Sequence, residues 1–486
     1  MKGIDKSFGG THALDHVNFA VKPGRVMCLA GENGCGKSTL VKIISGVYTK
    51  DEGEVYFEDK LIEHITPADA TKLGIQVIYQ DLSIFPNLTV RENLAINSEI
   101  LNNRRFVNRK RWDETAKEAL SKIGYDIDLN AEMGALSIAD KQLVAICRAL
   151  LFNAKLIIMD EPTTSLTKRE VDALFKTIRQ LKETGISIMF IGHKLEEIFE
   201  IGDDVCVMRN GKNVFLGKTE GLQRKDLIYY MTGREINDDF FVPENISKEP
   251  ILEVEHLTLN NKYEDVSFKL HKGEILGITG LLGSGRTELA LSLFGVEHPT
   301  GGTIKMNGKE IKITSPTKAK ALKIGYLPED RRTEGLCMNQ AIDDNIQLAT
   351  LQEISNHGVL NQKTILKHAQ KWVDKFSIKT DDPRKKAETL SGGNQQKIVL
   401  SKWLATNLEI LVLNGPTVGV DIGAKQDIHH LVHELANDGL AVIMISDDLA
   451  EVVVNCSRVL VMKAGSIVGE MEGKEITEDN IRQIIM

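Results

Sequence analysis

Two short clusters in the first half of this 486-residue chain have the side chains and the spacing for work on a phosphate. Gly31-Glu32-Asn33-Gly34-Cys35-Gly36-Lys37-Ser38, followed by Thr39, fits the pattern G-x-x-x-x-G-K-[ST]. Glycines at these positions let successive backbone N–H groups turn inward on an anion, and a helix beginning at Ser38 adds the positive end of its dipole. Lys37 supplies a compact charge between β- and γ-phosphates, and the Ser38 hydroxyl is a ligand for Mg2+. Cys35 reads as a small residue tolerated in the turn, one that opens the site to thiol reagents. Farther on, Asp160 and Glu161 close the apolar run 157–159. Successive side chains at a strand end point to opposite faces, so the two acids take different tasks. Asp160 holds Mg2+ through its water shell, and Glu161 orients or deprotonates the water that attacks the γ-phosphate. Gln80, after the apolar run 75–79, is the candidate to sense the γ-phosphate and the metal, and His193, after 188–191, the candidate to hold the γ-phosphate and the water. The plainer readings are a glycine turn with an exposed lysine and a pair of solvated loop acids. Strand and helix patterns on either side of the glycine loop weigh against both.

The elements that must position these residues occur twice. Gly24, Gly31 and Gln80 recur as Gly273, Gly280 and Glu329 at an offset of 249, whereas Leu136-Ser137, Pro162-Thr163 and His193 recur as Leu390-Ser391, Pro416-Thr417 and Asp447 at 254. One short insertion in the second copy is expected to account for the change. Each copy reads as an apolar strand (26–30; 275–279), a glycine-rich turn, and a helix from Ser38 or Thr287. A largely helical stretch follows (90–152; 341–406), and then strand and helix alternate again. That order implies α/β layers about a mostly parallel sheet. The segment 237–250 loses periodicity and carries two prolines, so the expected division is a first domain over 1–236, a linker over 237–250 and a second domain over 251–486.

Composition narrows the class further. Hydrophobic residues at 42% and charged residues at 26% fit a globular chain whose longest apolar runs, such as 440–445, are far too short to cross a bilayer. Residues 1–10 have no apolar core of a secretory signal, so the cytosol is the expected compartment. The six cysteines stand singly, which argues against a disulfide framework and against zinc. A net charge of −8 offers no general attraction to nucleic acid, and the basic run 104–111 reads as a solvated helix start.

Together with two further stretches, these motifs resemble the ATP-binding cassette (ABC) ATPases, and most closely the double-cassette ATPases of bacterial monosaccharide importers. Leu390-Ser391-Gly392-Gly393-Asn394-Gln395-Gln396-Lys397 is similar to the family's signature motif, and 326–336 (YLPEDRRTEGL) to a stretch of the sugar-importer branch. The resemblance covers nearly the whole chain, although family members usually begin a few residues before Met1. It implies two tandem P-loop NTPase domains, each a RecA-like α/β core with an antiparallel β part and a helical subdomain, using ATP and Mg2+. It implies that Phe8 stacks on adenine and that Ser391 to Gln395 reach ATP held on the first P-loop. It also implies membrane permease subunits and an extracytoplasmic sugar-binding protein as partners, and a peripheral position on the cytoplasmic face of the inner membrane. In such proteins two cassettes pair head to tail, so each ATP lies between the P-loop of one and the signature motif of the other.

Departures from the family pattern sort by that pairing. The second copy has Arg286 for the P-loop lysine, Asn414-Gly415 for the two carboxylates, Asp447 for the histidine and Glu329 for the glutamine. The first copy has Ser137-Ile138-Ala139-Asp140 where the second has Ser391-Gly392-Gly393-Asn394. Paired crosswise, every intact element falls in one composite site and every defective one in the other, which gives one hydrolytic site and one that at most binds nucleotide. Two rival classes are a soluble double cassette acting on ribosomes or nucleic acid and a non-hydrolysing regulatory scaffold. The short linker, single intact motif set and negative charge weigh against the first, and the intact Lys37 and Glu161 against the second. The sugar, polyol or signal molecule carried is not legible, because partner chains select it.

Overall fold

The computed structural model describes residues 1–79, 82–101, 108–164, 166–192, 194–235, 240–355 and 359–485. It divides into two compact units, Met1–Ile236 and Asn237–Met486. In the first, β1 (Lys2–Phe8), β2 (Thr11–Val17), β4 (Glu52–Phe57) and β5 (Lys60–Ile62) form an antiparallel sheet in the order β2-β1-β4-β5. A six-stranded sheet takes β3 (Val26–Ala30), β6 (Ile75–Ile78), β7 (Leu156–Asp160), β8 (Ser187–Ile191), β9 (Asp204–Arg209) and β10 (Lys212–Lys218) in the order β6-β7-β8-β3-β9-β10. Only the β9–β10 pair in it is antiparallel.

The second unit repeats this plan strand for strand. Its antiparallel sheet, in the order β12-β11-β14-β15, is built from β11 (Pro250–Leu259), β12 (Tyr263–His271), β14 (Gly301–Met306) and β15 (Lys309–Ile311). Its larger sheet runs β16-β17-β18-β13-β19-β20, from β13 (Ile275–Gly280), β16 (Ile324–Leu327), β17 (Ile410–Asn414), β18 (Ala441–Ile445), β19 (Arg458–Lys463) and β20 (Ser466–Glu472). Strands buried on both faces read as nearly continuous apolar runs, and β3, β8, β17 and β18 are buried throughout, with only Ser187 at the start of β8 and Asn414 at the end of β17 polar. Alternation then divides each strand between two cores: Leu411 and Leu413 pack with the helical layer around Ile398 and Trp372, and Ile410 and Val412 with the antiparallel part around Phe268 and Leu289. This three-layer plan gives each unit the α/β core, antiparallel part and helical part that the resemblance implies.

Two expectations need amendment. The offset changes in two steps instead of one. Asn93 accepts from Phe85 N and donates to its carbonyl, and Asn345 does the same to Cys337, so these positions align at an offset of 252. Three extra residues therefore lie in the turn before Cys337, and two more beyond Asn345. The segment expected as a linker is, over 240–250, a strap on the second unit. Phe241 N donates to Val454 O and its ring stacks on His433 at 4.0 Å, Ser247 N donates to Lys272 O, and Pro250 already belongs to β11.

That strap carries a testable pH dependence. Burial, more than the neighbouring His429 and His430, pushes the His433 imidazole down to about 4 against the pull of its Asn455 hydrogen bond. The unfolded chain, with a histidine pKa of about 6.5, takes up the proton first. Stability of the second unit is thus expected to fall as pH drops from about 6.5 to about 4. Thermal unfolding of His433→Phe, which keeps the stack on Phe241, should lose part of that acid slope.

Candidate nucleotide site

The glycine loop leaves the end of β3 at the centre of the first unit's parallel sheet and enters the helix Lys37–Ile44. That helix starts one residue earlier than expected, at Lys37. Gly31, Gly34 and Gly36 have φ of 149°, 79° and 106°. A Cβ on Gly31 would stand 2.3 Å from Met208 O, and one on Gly36 2.5 Å from Ala13 O. The loop is thus bare backbone pressed against β9 and β2, with no room for a side chain at Gly31 or Gly36. Lys37 is 7% exposed, and its Nζ donates to Gly31 O (2.7 Å) and Glu32 O (2.9 Å) across the loop, while Ser38 stays exposed on the helix's first turn. Cys35 corrects an expectation. It is 4% exposed, and burial pushes its thiol pKa up, more than Lys37 lowers it, so it is a poor target for thiol reagents.

Asp160 ends β7 beside β8, and Glu161 follows in a sharp turn. Burial, then the charge of Glu161, raises the Asp160 carboxyl, while Lys37 and Lys42 pull it down, so the acid and the loop lysine share one electrostatic environment. A hard divalent ion is suited to this donor set of one half-buried carboxylate and one exposed serine hydroxyl. Glu161 has φ of 47°, a left-handed conformation unusual for a side chain this large, and its N–H donates to Ile191 O at 3.0 Å. The same turn in the second unit holds Gly415, with φ of 59° and its N–H on Ile445 O at 2.8 Å. Glutamate thus stands in the first unit in a backbone conformation that glycine adopts more easily. Gln80 and His193 lie outside the described residues.

Phe8 ends β1 paired with Thr11, two residues from the Ala13 carbonyl that touches the loop. Its exposed ring meets Tyr48 edge-on at 5.2 Å. The sequence reading missed Tyr48; an aromatic residue four positions beyond the loop helix was the available signal. It also missed Glu197, whose buried carboxylate accepts from Thr163 Oγ1 at 2.6 Å and fixes the turn after Glu161.

In the second unit the same place is self-occupied. Arg286, 8% exposed, donates from Nη1 to Gly280 O, and its Nη2 lies 3.6 Å from Asp447. The internal anion thus stands beside the cation that would meet a phosphate. Asn414 is buried and donates to the Tyr326 hydroxyl at 3.3 Å.

The two signature segments differ in the same physical terms. Ser391 precedes the helix Gly392–Leu404, and its hydroxyl is exposed, accepting only a side-chain bond from Asn394 among the bonds found there. Ser137 precedes Ile138–Leu150, and its hydroxyl accepts from Asp140 N. The first unit therefore carries an acid in the first turn of that helix and an exposed Ile138, whereas the second offers an uncharged turn with two glycines. An uncharged helix N-terminus attracts a phosphate; an acid there repels one.

The fold and these loops define a tandem pair of cassettes, and the chain belongs to the ABC transporter family, whose model matches residues 14–164 and 263–418. It is an ATPase of that family, and the likeness to its relatives runs along its full length. The ribose import ATP-binding protein RbsA of Clostridium perfringens is 42% identical over 486 residues, covering 100% of this chain and 97% of the relative. That of Caldanaerobacter subterraneus is 40% identical over 482 residues, covering 99% and 97%. Among solved structures, RNase-L inhibitor matches with a TM-score of 0.64 at 19% identity, over 100% of this chain and 93% of that one, a likeness of fold alone. No helix among the described residues is long and apolar enough to cross a membrane.

Proposed function

We propose that this chain is the ATP-hydrolysing subunit of an importer for a simple sugar or sugar-like molecule, and that hydrolysis is confined to one of its two composite sites. The observation that carries the second part is the sorting of sound and unsound elements. Lys37, Asp160 and Glu161 are intact in the first unit and the Ser391 helix end in the second, while Arg286, Asn414, Asp447 and Asp140 belong to the opposite pairing. For the transported class, the support is the import function in the names of full-length relatives, which makes ribose and galactose the first solutes to test.

In this reading the loop N–H groups and Lys37 bind the β- and γ-phosphates, and Phe8 with Tyr48 receives adenine. Ser38 and Asp160, with Gln80, would hold Mg2+, which when bound would neutralise phosphate charge. Glu161 takes the proton of the attacking water, and His193 orients it. The Ser391 to Gln395 segment closes over the γ-phosphate from the second cassette, of the same chain or another. Release of phosphate removes contacts made only in the closed state, so ATP shifts the population of closed cassettes. Permease subunits read that shift through the surface near Gln80, at the cytoplasmic face of the membrane, and a sugar-binding protein delivers solute outside.

Vanadate-sensitive ATP hydrolysis by the purified chain tests the enzymatic part. Asp447→Ala is expected to leave the rate within about twofold, since it alters only the second P-loop; a loss as deep as that of a first-site variant would place hydrolysis in both sites.

A further inference from the structure

The second unit contains a three-way junction that neither the motifs nor the sorting argument requires. Arg331 opens the turn Arg331–Gly335, which holds the three extra residues of the second copy. Its guanidinium donates from Nη1 to Val418 O at 2.7 Å and from Nη2 to Gly419 O at 3.1 Å, both in the turn that follows Gly415. Its Nε donates to Gln395 Oε1 at 3.3 Å. Gln395 in turn donates to Leu390 O at 2.9 Å and so grips the residue before Ser391. A planar fork with several donors suits this arrangement, and a lysine amine cannot reach all three acceptors.

The glycines of the signature segment make room for it. A Cβ on Gly392 would stand 2.6 Å from Arg331 Nη2 and 2.9 Å from Gly419 O. The first copy has Ile138 at that position and no basic residue between Gln80 and Leu88, so arginine and glycine are present together in one copy and absent together in the other. What the copies share is simpler. Arg148 donates to Leu82 O and Ser83 O, and Lys402 to Gly335 O, tying the turn to the helix behind it. Among the described residues, the second unit adds a tie to the helix's N-terminal end and to the turn 415–420.

We infer that Arg331 is a positioning residue for hydrolysis: it fixes the Ser391 helix end and the Val418-Gly419 turn to the segment 328–337, so that the three move as one body against ATP held on the first P-loop. The inference rests on the crosswise pairing proposed above and deepens it. The segment 328–337 is the second-unit counterpart of the surface through which permease subunits are proposed to act, so Arg331 would carry their movement to the hydrolytic site. A residue acting through closure affects turnover and leaves nucleotide capture by the first P-loop alone.

The test uses the full chain assembled with its permease subunits. Turnover number and KM for MgATP are measured beside the affinity and stoichiometry of a fluorescent ATP analogue, for wild type, Arg331→Ala, Arg331→Lys and Ser391→Ala. Arg331→Ala is expected to lower kcat at least tenfold with analogue affinity and stoichiometry within twofold, and Arg331→Lys, which keeps the charge, is expected not to restore it. A kcat within twofold of wild type in Arg331→Ala while Ser391→Ala is impaired overturns this inference alone. A parallel loss of analogue binding assigns Arg331 a merely structural role and overturns it too. If Ser391→Ala is also unimpaired, the crosswise pairing itself fails.

Discussion

Glu161→Gln is expected to bring ATP turnover down by about two to four orders of magnitude, the usual loss for a positioned base, while ATP still binds. Glutamine keeps the length of the side chain and its capacity to hydrogen-bond but cannot accept the proton of water. The backbone gives this prediction a second part. Glu161 has φ of 47°, and its counterpart Gly415 has φ of 59° in an equivalent turn. A non-glycine residue there costs about 1–2 kcal/mol, of which glycine's extra unfolded freedom returns about 0.5–1. Glu161→Gly is therefore expected to be as inactive as Glu161→Gln and yet more stable than wild type by roughly 0.5–1 kcal/mol in chemical denaturation of the first unit. A glycine variant less stable than wild type would show that the glutamate is held there by contacts worth more than its strain.

Gly393→Ala should produce the next largest loss. A Cβ at this position would lie 2.3 Å from Ala424 Cβ, on the helix Ile422–Asn437, and neither partner is a flexible side chain that can step aside. The first turn of the helix Gly392–Leu404 must then shift, carrying Ser391 with it. Overpacking of this kind costs about 1–3 kcal/mol, and displacement of a phosphate-contacting group by about 1 Å costs on the order of 100-fold in rate. A turnover deficit near that size, with ATP-analogue binding to the first P-loop retained, is the expected result. The first copy carries Ala139 and Glu170 at the corresponding positions, so the same close approach is not built there.

Much of this was legible in the sequence because the informative residues are local. A P-loop is contiguous, so Gly31 to Ser38 announces both the turn and its chemistry, and the strand ending at Asp160 is marked by its own apolar run. The repeat made the sheet order of one unit a guide to the other. What escaped depends on contacts between segments distant in the chain. Arg331 meets Gln395, Val418 and Gly419 only because β16 and β17 are neighbours in the sheet and the helix from Gly392 packs beside them. Likewise the 240–250 strap looked like a linker because its prolines and polar ends break periodicity, although Phe241 buries its ring on His433. The left-handed backbone at Glu161 has no signature in residue type. Its only hint was the glycine at 415.

Crosswise closure is a matter of position, and trapping the nucleotide addresses it best. Glu161→Gln, loaded with MgATP and solved in that state, should show the γ-phosphate on the first P-loop covered by the Ser391 hydroxyl and the Gly393 N–H of a second cassette. A γ-phosphate on that loop facing solvent, or met instead by the Ser137 segment, would contradict the account.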